Sequence, residues 1–223
     1  MINHQLRVKI CGITKLDQAR AIAQLGASAL GFICVNSSPR YQEPAQIKNI
    51  IQNLSQSVDL VGVFANTSID LIADIVNYTG LTIVQLHGNE TPAFCQELKA
   101  NLPEKIEIIK ALRIKDETDL KNTEIYYNDV DILLLDAYHP HILGGTGKTL
   151  DWRILQKFKP PLPWFLAGGL NPDNILECLE ILHPDGIDLS SGVESSPGDK
   201  DLIKVKLLFD NLTSKRIGED RYY

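Results

Sequence analysis

VKICGIT, residues 8–14, contains a short apolar run that ends in a cysteine and a glycine, a pattern typical of a buried strand followed by a turn. Short apolar runs of this kind recur along the whole chain. They are residues 8–11, 29–34, 59–64, 83–87, 107–112, 131–136, 164–167 and 186–190. Their starts lie about 25 residues apart, which is room for one strand, one helix and two short loops. Eight such units predict an α/β protein built as a single closed (β/α)8 barrel, the TIM-barrel architecture.

The length and composition agree with one domain. The chain has 223 residues, near the lower end for such a barrel, and is long enough to bury most of its apolar surface. No linker rich in Pro, Gly or Ser divides it. We therefore expect residues 1–212 to form the barrel and residues 213–223 to form a polar tail. The sequence predicts no oligomeric state.

The charge and hydropathy exclude two classes of partner. The net charge is −6 at pH 7 with a pI near 5.4, and no basic stripe is present to bind a nucleic-acid backbone. No apolar stretch reaches the roughly 18 residues of a membrane span, and the first strand begins too early to leave room for a signal peptide. We expect a cytoplasmic protein whose ligand is a small molecule.

The four cysteines, Cys11, Cys34, Cys95 and Cys178, lie in separate βα units and form no CxxC pair. This spacing argues against a disulfide framework and against a zinc site. Cys95 and Cys178 stand among apolar neighbours in predicted helices. We interpret them as small core residues.

Two predicted helices carry recognisable start signals. Thr91 precedes Pro92 and Asn171 precedes Pro172, which is the pattern of an N-cap followed by proline at the first helical position. The helix after the fifth strand is the hardest to predict, because KDETDL, residues 115–120, is short and polar.

Side chains with useful chemistry follow several of the predicted strands. The carboxyl ends of all strands in a (β/α)8 barrel meet at one mouth, so residues there are neighbours in space. The residues at or just past these ends are Cys11, Cys34, Arg40, His87, Asp136, Gly168 and Asp188.

The loops after strands seven and eight, AGGL and DLSSGVE, favour a bound phosphate. Glycines let the backbone approach a ligand closely, and N–H groups beside a helical turn attract a dianion. This fold usually places its phosphate site after these two strands. The candidate residues are Gly168, Gly169, Ser190, Ser191 and Gly192. The alternative is that the glycines only make turns.

Seven motifs along the barrel make the chain resemble the phosphoribosylanthranilate isomerases of tryptophan biosynthesis. They are VKICGIT, GFICVNSSPRY, VGVFAN, VQLHGNE, LLLDA followed by GGTGKTLDW, AGGLNPDN and DLSSGVESSPGDKD. Each motif alone is a weak signal. Their order, from the first strand to the eighth, makes the combination specific.

The resemblance implies an Amadori rearrangement of N-(5-phosphoribosyl)anthranilate, an aminoaldose, to an aminoketose, with no cofactor and no redox step. It implies that Cys11 is the general base and Asp136 the general acid. It assigns the anthranilate carboxylate to Arg40, since a planar guanidinium suits a carboxylate. It also places His87 and Asp188 at the mouth, as positioning or polar-network residues.

From the residues alone, each of these assignments has a structural alternative. Cys11 could be a packing thiol, Asp136 a cap for the next loop and Arg40 a surface charge. A thiol with a pKa near 8.5 is only a few per cent ionised at neutral pH. A base at Cys11 therefore needs a nearby cation, and the protonated imine of the substrate supplies one.

His139 and His141 flank Pro140 in the loop after strand six. Their spacing is not that of a helical ligand pair and no carboxylate partner is evident, so we predict no metal site. AYHPHIL, residues 137–143, differs from the family pattern, whereas GGTGK, residues 144–148, resumes it. The sequence thus leaves the shape of loop 137–149 open.

Two other functions stay open at this point. The histidine-pathway isomerase performs the same rearrangement, but it is expected to have an aspartate in place of Cys11 and a second phosphate loop in a half-barrel repeat. A non-catalytic barrel that binds a phosphorylated metabolite is the second alternative. The candidate base and acid argue against it.

Overall fold

The computed structural model describes residues 6–137 and 152–219 and contains eight parallel strands closed into a barrel. Each strand pairs with the next along the chain, and the eighth pairs with the first. The strands are β1 (Arg7–Cys11), β2 (Ala29–Ile33), β3 (Asp59–Phe64), β4 (Ile83–Leu86), β5 (Glu107–Ile114), β6 (Ile132–Ala137), β7 (Trp164–Ala167) and β8 (Gly186–Leu189). The predicted (β/α)8 fold and its eight strands are therefore confirmed.

Helices connect the strands and cover the outside of the barrel. They are α1 (Leu16–Gln24), α2 (Pro44–Gln52), α3 (Ile69–Thr79), α4 (Pro92–Asn101), α5 (Glu117–Asn122), α6 (Ile175–Ile181) and α7 (Leu202–Glu219). Short 3-10 turns occur at Thr123–Tyr126, Trp152–Leu155 and Ser191–Val193. Because α7 continues to Glu219, helical structure extends into residues 213–223, which the sequence set apart as a tail.

A two-stranded antiparallel hairpin follows β8. Its strands are β9 (Glu194–Ser196) and β10 (Asp199–Lys200). No sequence pattern predicts this hairpin, because both strands are short and polar. It nevertheless matters for function, since it brings Glu194 and Lys200 to the mouth of the barrel.

The two predicted helix starts have different outcomes. Thr91 caps α4 as predicted, because its Oγ1 accepts a hydrogen bond from the N–H of Phe94 at 3.2 Å. The prediction for Asn171 is wrong, since α6 begins at Ile175 with Asn174 in the N-cap position. Asn171 instead forms a turn of its own, in which its Oδ1 accepts the N–H groups of residues 173 and 174.

Side chains of each strand alternate between the barrel interior and the helix layer. The interior holds an apolar cluster of Ala29, Val61, Ile83, Ile109, Ala111, Ile132, Leu134, Phe165 and Ala167. Arg7, Lys9 and Cys11 share the inward face of β1. Arg7 closes the amino-terminal end by pairing with Asp59 at 2.7 Å, whereas Cys11 lies at the opposite end. The inward face of β1 thus carries polar side chains from the amino-terminal end of the barrel to its mouth.

A larger core fills the space between strands and helices. Cys95 and Cys178 are fully buried in it, which confirms their interpretation as core residues. Burial of a single large aliphatic side chain contributes roughly 1.5 to 3 kcal/mol, so this core is the main source of stability. Within residues 6–137 and 152–219, no helix combines the length and the apolar character needed to cross a membrane.

Candidate active site

The carboxyl ends of the strands surround a cavity of about 310 Å³. All ten site residues predicted from the sequence line it: Cys11, Arg40, His87, Asp136, Gly168, Gly169, Asp188, Ser190, Ser191 and Gly192. Cys34, which also follows a strand, is not part of this lining. Its half-buried side chain packs against the outer core instead. The barrel topology explains the grouping, because it brings distant segments of the chain to one mouth.

Cys11 is the last residue of β1 and is only 6 % exposed. It pairs with Gly31 of β2, where a Cβ would lie 2.7 Å from the Cys11 Sγ. The glycine therefore leaves the space that the thiol occupies. Burial raises the pKa of the Cys11 thiol, and the positive charges of Lys9 and Lys200 oppose that rise. The group is a thiol whose ionisation depends on nearby cations.

Asp136 lies near the end of β6 with its side chain 24 % exposed. The Nε2 atom of His87 is 3.7 Å from Asp136 Oδ2, and Gln85 Nε2 is 3.2 Å from His87 Nδ1. With the Gln85 amide assigned as donor, a neutral His87 carries its proton on Nε2, facing the carboxylate. Gln85 thus holds the His87 ring by a hydrogen bond, and the ring faces Asp136 at a distance too long for a hydrogen bond.

Arg40 reaches the cavity from the loop after β2 and is tied to Glu194 of the hairpin. Its Nε lies 2.9 Å from Glu194 Oε1 and its Nη2 lies 2.6 Å from Oε2. Lys200 Nζ also donates to Oε1 at 2.7 Å. Burial alone would raise the pKa of Glu194, but hydrogen bonds from Arg40 and Lys200 outweigh it and hold that pKa below its usual value. An ionised Glu194 therefore fixes Arg40 and leaves the guanidinium edge that carries Nη1 for a ligand.

The two loops predicted to bind phosphate border the same cavity. Gly168 and Gly169 have φ angles of 96° and 67°, a region that favours glycine. At Gly192 a Cβ would lie 1.9 Å from the carbonyl oxygen of Leu170, so only glycine fits. Among the residues that the structure describes, the N–H groups of Gly169 and Ser191 donate to no backbone carbonyl in the turns and loops. The loops thus offer open donors without side chains in the way, as an anion site requires.

Five residues of this region are not singled out by the sequence patterns: Lys9, Gly31, Gln85, Glu194 and Lys200. Lys9 and Gln85 do carry a signal, because each lies in a strand two positions before a candidate site residue, and side chains two positions apart in extended chain share a face. Glu194 and Lys200 carry none, since they belong to the unpredicted hairpin.

Residues 138–151 lie outside the described part of the chain. They include His139, His141 and the GGTGK segment. The interpretation of the two histidines as non-ligands and the shape of loop 137–149 therefore stay untested.

The chain is similar in sequence to proteins of one name. The family model described as N-(5'phosphoribosyl)anthranilate (PRA) isomerase matches residues 8–211. The N-(5'-phosphoribosyl)anthranilate isomerase of Microcystis aeruginosa is 60% identical over 211 residues, which cover 95% of this chain and 99% of the relative. That of Trichodesmium erythraeum is 55% identical over 225 residues, covering 94% and 98%.

Solved structures agree with the sequence relatives. Phosphoribosyl anthranilate isomerase from Thermotoga maritima matches with a TM-score of 0.85 at 36% identity, covering 94% of this chain and 100% of that one. A structure of the isomerase in complex with reduced 1-(o-carboxyphenylamino)-1-deoxyribulose 5-phosphate matches with a TM-score of 0.83 at 34% identity and the same coverage. These matches confirm the resemblance and set aside both alternatives, the histidine-pathway isomerase and the non-catalytic barrel. The chain belongs to the N-(5'-phosphoribosyl)anthranilate isomerase family.

Proposed function

We propose that Cys11 and Asp136 transfer the protons in the conversion of N-(5-phosphoribosyl)anthranilate to 1-(2-carboxyphenylamino)-1-deoxyribulose 5-phosphate, the isomerisation of tryptophan biosynthesis. By its family the chain is an isomerase. The observation that carries the residue assignment is that one cavity unites a strand-end thiol, a strand-end carboxylate, an arginine and two glycine-rich loops. The ligand named for the related complex, a carboxyphenylamino sugar phosphate, supports the same match of anionic groups to the arginine and the loops.

Two anionic groups of the substrate account for its binding. The anthranilate carboxylate pairs with Arg40 at the guanidinium edge that Glu194 leaves open. The phosphate accepts from the N–H groups of Gly169 and Ser191, with Gly168, Ser190 and Gly192 shaping the loops around it. Holding both ends fixes the sugar carbons C1 and C2 between them. This orientation lowers the entropic part of the barrier.

Asp136 acts first, as the general acid. Its carboxyl group donates a proton to the furanose ring oxygen, and the bond between C1 and that oxygen breaks. The nitrogen lone pair forms a C1=N bond, so the product of this step is a protonated imine. His87, with its Nε2 3.7 Å from Asp136 Oδ2, positions the acid for the transfer.

Cys11 then acts as the general base. Its thiolate takes the proton from C2, the electron pair of that bond forms C1=C2, and the imine nitrogen becomes neutral. The resulting enolamine gains a proton at C1 and loses one from the C2 hydroxyl group to give the ketone. The positive charge of the imine both acidifies C2 and stabilises the thiolate beside it.

The proposal is tested by turnover of the substrate, followed through the loss of its fluorescence. Asp136→Asn removes the acid and keeps the shape, so kcat should fall by at least about a hundredfold while KM changes little. Asp131→Asn is the matched control, because Asp131 precedes the same strand at the opposite end of the barrel. An Asp136→Asn variant as fast as this control would rule out Asp136 as the acid.

A further inference from the structure

A buried ion pair lies in the barrel interior next to Cys11 and has no role in the mechanism above. Lys9 Nζ is 2.9 Å from Asp188 Oδ1, and the two side chains are 0% and 10% exposed. The pairing of β1 with β8 sets Lys9 opposite Asp188. Lys9 also precedes Cys11 by two positions on the inward face of β1, so all three side chains meet inside the barrel.

The position is unusual for a lysine. Most of the barrel interior is an apolar cluster, and a pair of apolar side chains would fill the same space without the cost of burying two charges. The contact of Lys9 with Asp188 is close but is not an aligned hydrogen bond, so it rests mainly on charge. No aligned hydrogen-bond partner for Lys9 Nζ is found among the described residues. Its N–H groups are therefore available to the thiol.

Within the described part of the chain, the charged and titratable groups that face Cys11 come from β1, β8, β10 and the segment after β2. They are Lys9 of β1, Asp188 of β8, Lys200 of β10, and Arg40 and Cys34 after β2. Arg40 and Lys200 share one carboxylate, that of Glu194. Burial raises the pKa of Cys34 to about 12, so this second thiol stays neutral. Of the two lysines whose positive charges favour an ionised Cys11, Lys9 has the larger effect, and it stands on the same strand and face as the thiol.

Lys9 keeps its proton in this environment. Burial by itself would lower the pKa of Lys9, but the negative charges of Asp188 and of an ionised Cys11 outweigh burial and hold that pKa above its usual value. When Cys11 is ionised, the ammonium group is thus a cation next to the base.

We propose that Lys9 is a positioning residue for the base: its ammonium group, paired with Asp188, lies beside Cys11 and stabilises the thiolate by its charge before substrate binds. The proposal rests on Cys11 being the base. The thiol proton leaves to solvent, the thiolate takes the C2 proton, and Lys9 stays protonated throughout. Asp188 has the opposite effect on the sulfur, because its negative charge competes for Lys9 and favours the protonated thiol.

The test measures the thiolate in the free enzyme, without turnover. The rate at which iodoacetamide alkylates Cys11 is followed against pH in a Cys34→Ser background, with the modified peptide identified by mass spectrometry. Lys9→Met should raise the midpoint by about one pH unit or more, which is a tenfold lower rate below the midpoint. Lys9→Arg should restore it, and Asp188→Asn should lower it.

A matched control shows whether the shifted alkylation midpoint is specific to Lys9 or follows the loss of any buried lysine. Lys110 is also buried and paired with a carboxylate, Glu90, at 2.8 Å, but it is not among the groups that act on Cys11. Lys110→Met should therefore leave the midpoint unchanged. A Lys9→Met midpoint equal to that of wild type would overturn the proposal. If circular dichroism shows that Lys9→Met is unfolded, Lys9→Gln takes its place, and a Lys9→Gln midpoint equal to that of wild type counts against the proposal.

The two proposals fail in different ways. Full turnover by Cys11→Ser would refute Cys11 as base, and with it the purpose assigned to Lys9, whatever the alkylation profile. An inactive Cys11→Ser variant combined with an unshifted Lys9→Met profile would refute the role of Lys9 alone.

Discussion

Replacing Glu194 with glutamine removes a buried carboxylate that two cations share. Its oxygens accept hydrogen bonds from Arg40 at 2.6 and 2.9 Å and from Lys200 at 2.7 Å. The side chains of Glu194 and Lys200 are 4% and 0% exposed, whereas that of Arg40 is 21% exposed. Glutamine keeps the shape but leaves both cations without a counter-charge, and Lys200 has no access to water.

The size of the effect follows from this burial. Removing one partner of a buried ion pair costs roughly 3 to 5 kcal/mol, because the other charge is left uncompensated. Arg40 adds little, since its partial exposure lets water replace the lost contact. We therefore expect Glu194→Gln to lower the free energy of unfolding by about 3 to 5 kcal/mol, a large part of the roughly 5 to 15 kcal/mol typical of a domain.

The effect has a defined pH dependence. The pKa of Glu194 is lower in the folded than in the unfolded chain, so its contribution is fully present above the unfolded value near 4.3. It is lost as the pH falls through the folded value. The difference in stability between wild type and Glu194→Gln should therefore shrink in acid.

Urea unfolding at pH 7, followed by circular dichroism, measures this difference. Asp210→Asn is the control, because it breaks an exposed pair with Lys206 whose side chains are 58% and 62% exposed. We expect that variant to lose about 0.5 kcal/mol or less. If Glu194→Gln were as stable as this control, the ion pairs of Glu194 with Arg40 and Lys200 would not contribute to the stability of the fold.

Further predictions concern binding and metal dependence. Arg40→Ala should raise KM about ten- to a hundredfold with little change in kcat, because a charge-assisted contact worth roughly 1.5 to 3 kcal/mol persists into the transition state. Steady-state kinetics measure both constants, and an unchanged KM would show that Arg40 does not bind the substrate. Gly192→Ala should weaken inorganic phosphate binding in a calorimetric titration. The new Cβ would lie 1.9 Å from the Leu170 carbonyl oxygen, so the loop would have to shift. An affinity equal to that of wild type would contradict the assignment of the phosphate to this loop. Prolonged chelation should leave the rate unchanged, because the electrophile is the substrate's own protonated imine; a loss that a divalent ion restores would contradict this.

The fold was predictable because its signal is repeated. Eight apolar runs at regular spacing each mark one strand, and small errors at the ends, such as β5 continuing to Ile114 rather than ending at residue 112, leave the topology unchanged. Single local signals were less dependable. Asn171 has the sequence of an N-cap, yet its side chain forms a separate turn and the helix begins only at Ile175.

The site was predictable as far as strand ends determine it. Cys11, Asp136 and Asp188 stand at such ends, so topology alone brings them together. The contacts that tune them were not predictable, because they depend on three-dimensional closure. Lys9 meets Asp188 only because β8 pairs with β1, and Glu194 meets Arg40 only through the hairpin after β8. Neither contact can be predicted from the residues that adjoin it in the sequence.

Measurement of kcat for Cys11→Ser beside Cys34→Ser shows whether the Cys11 thiol is the general base. Serine keeps the approximate shape of either cysteine, but its hydroxyl group is far too weak an acid to ionise near neutral pH. Because Cys11 lines the cavity and Cys34 does not, kcat should fall by at least about a hundred- to ten-thousandfold only in Cys11→Ser, with folding and KM largely kept. A Cys11→Ser enzyme with near-normal kcat would contradict the account, and would make Cys11 a packing thiol and Asp188 the next candidate for the base.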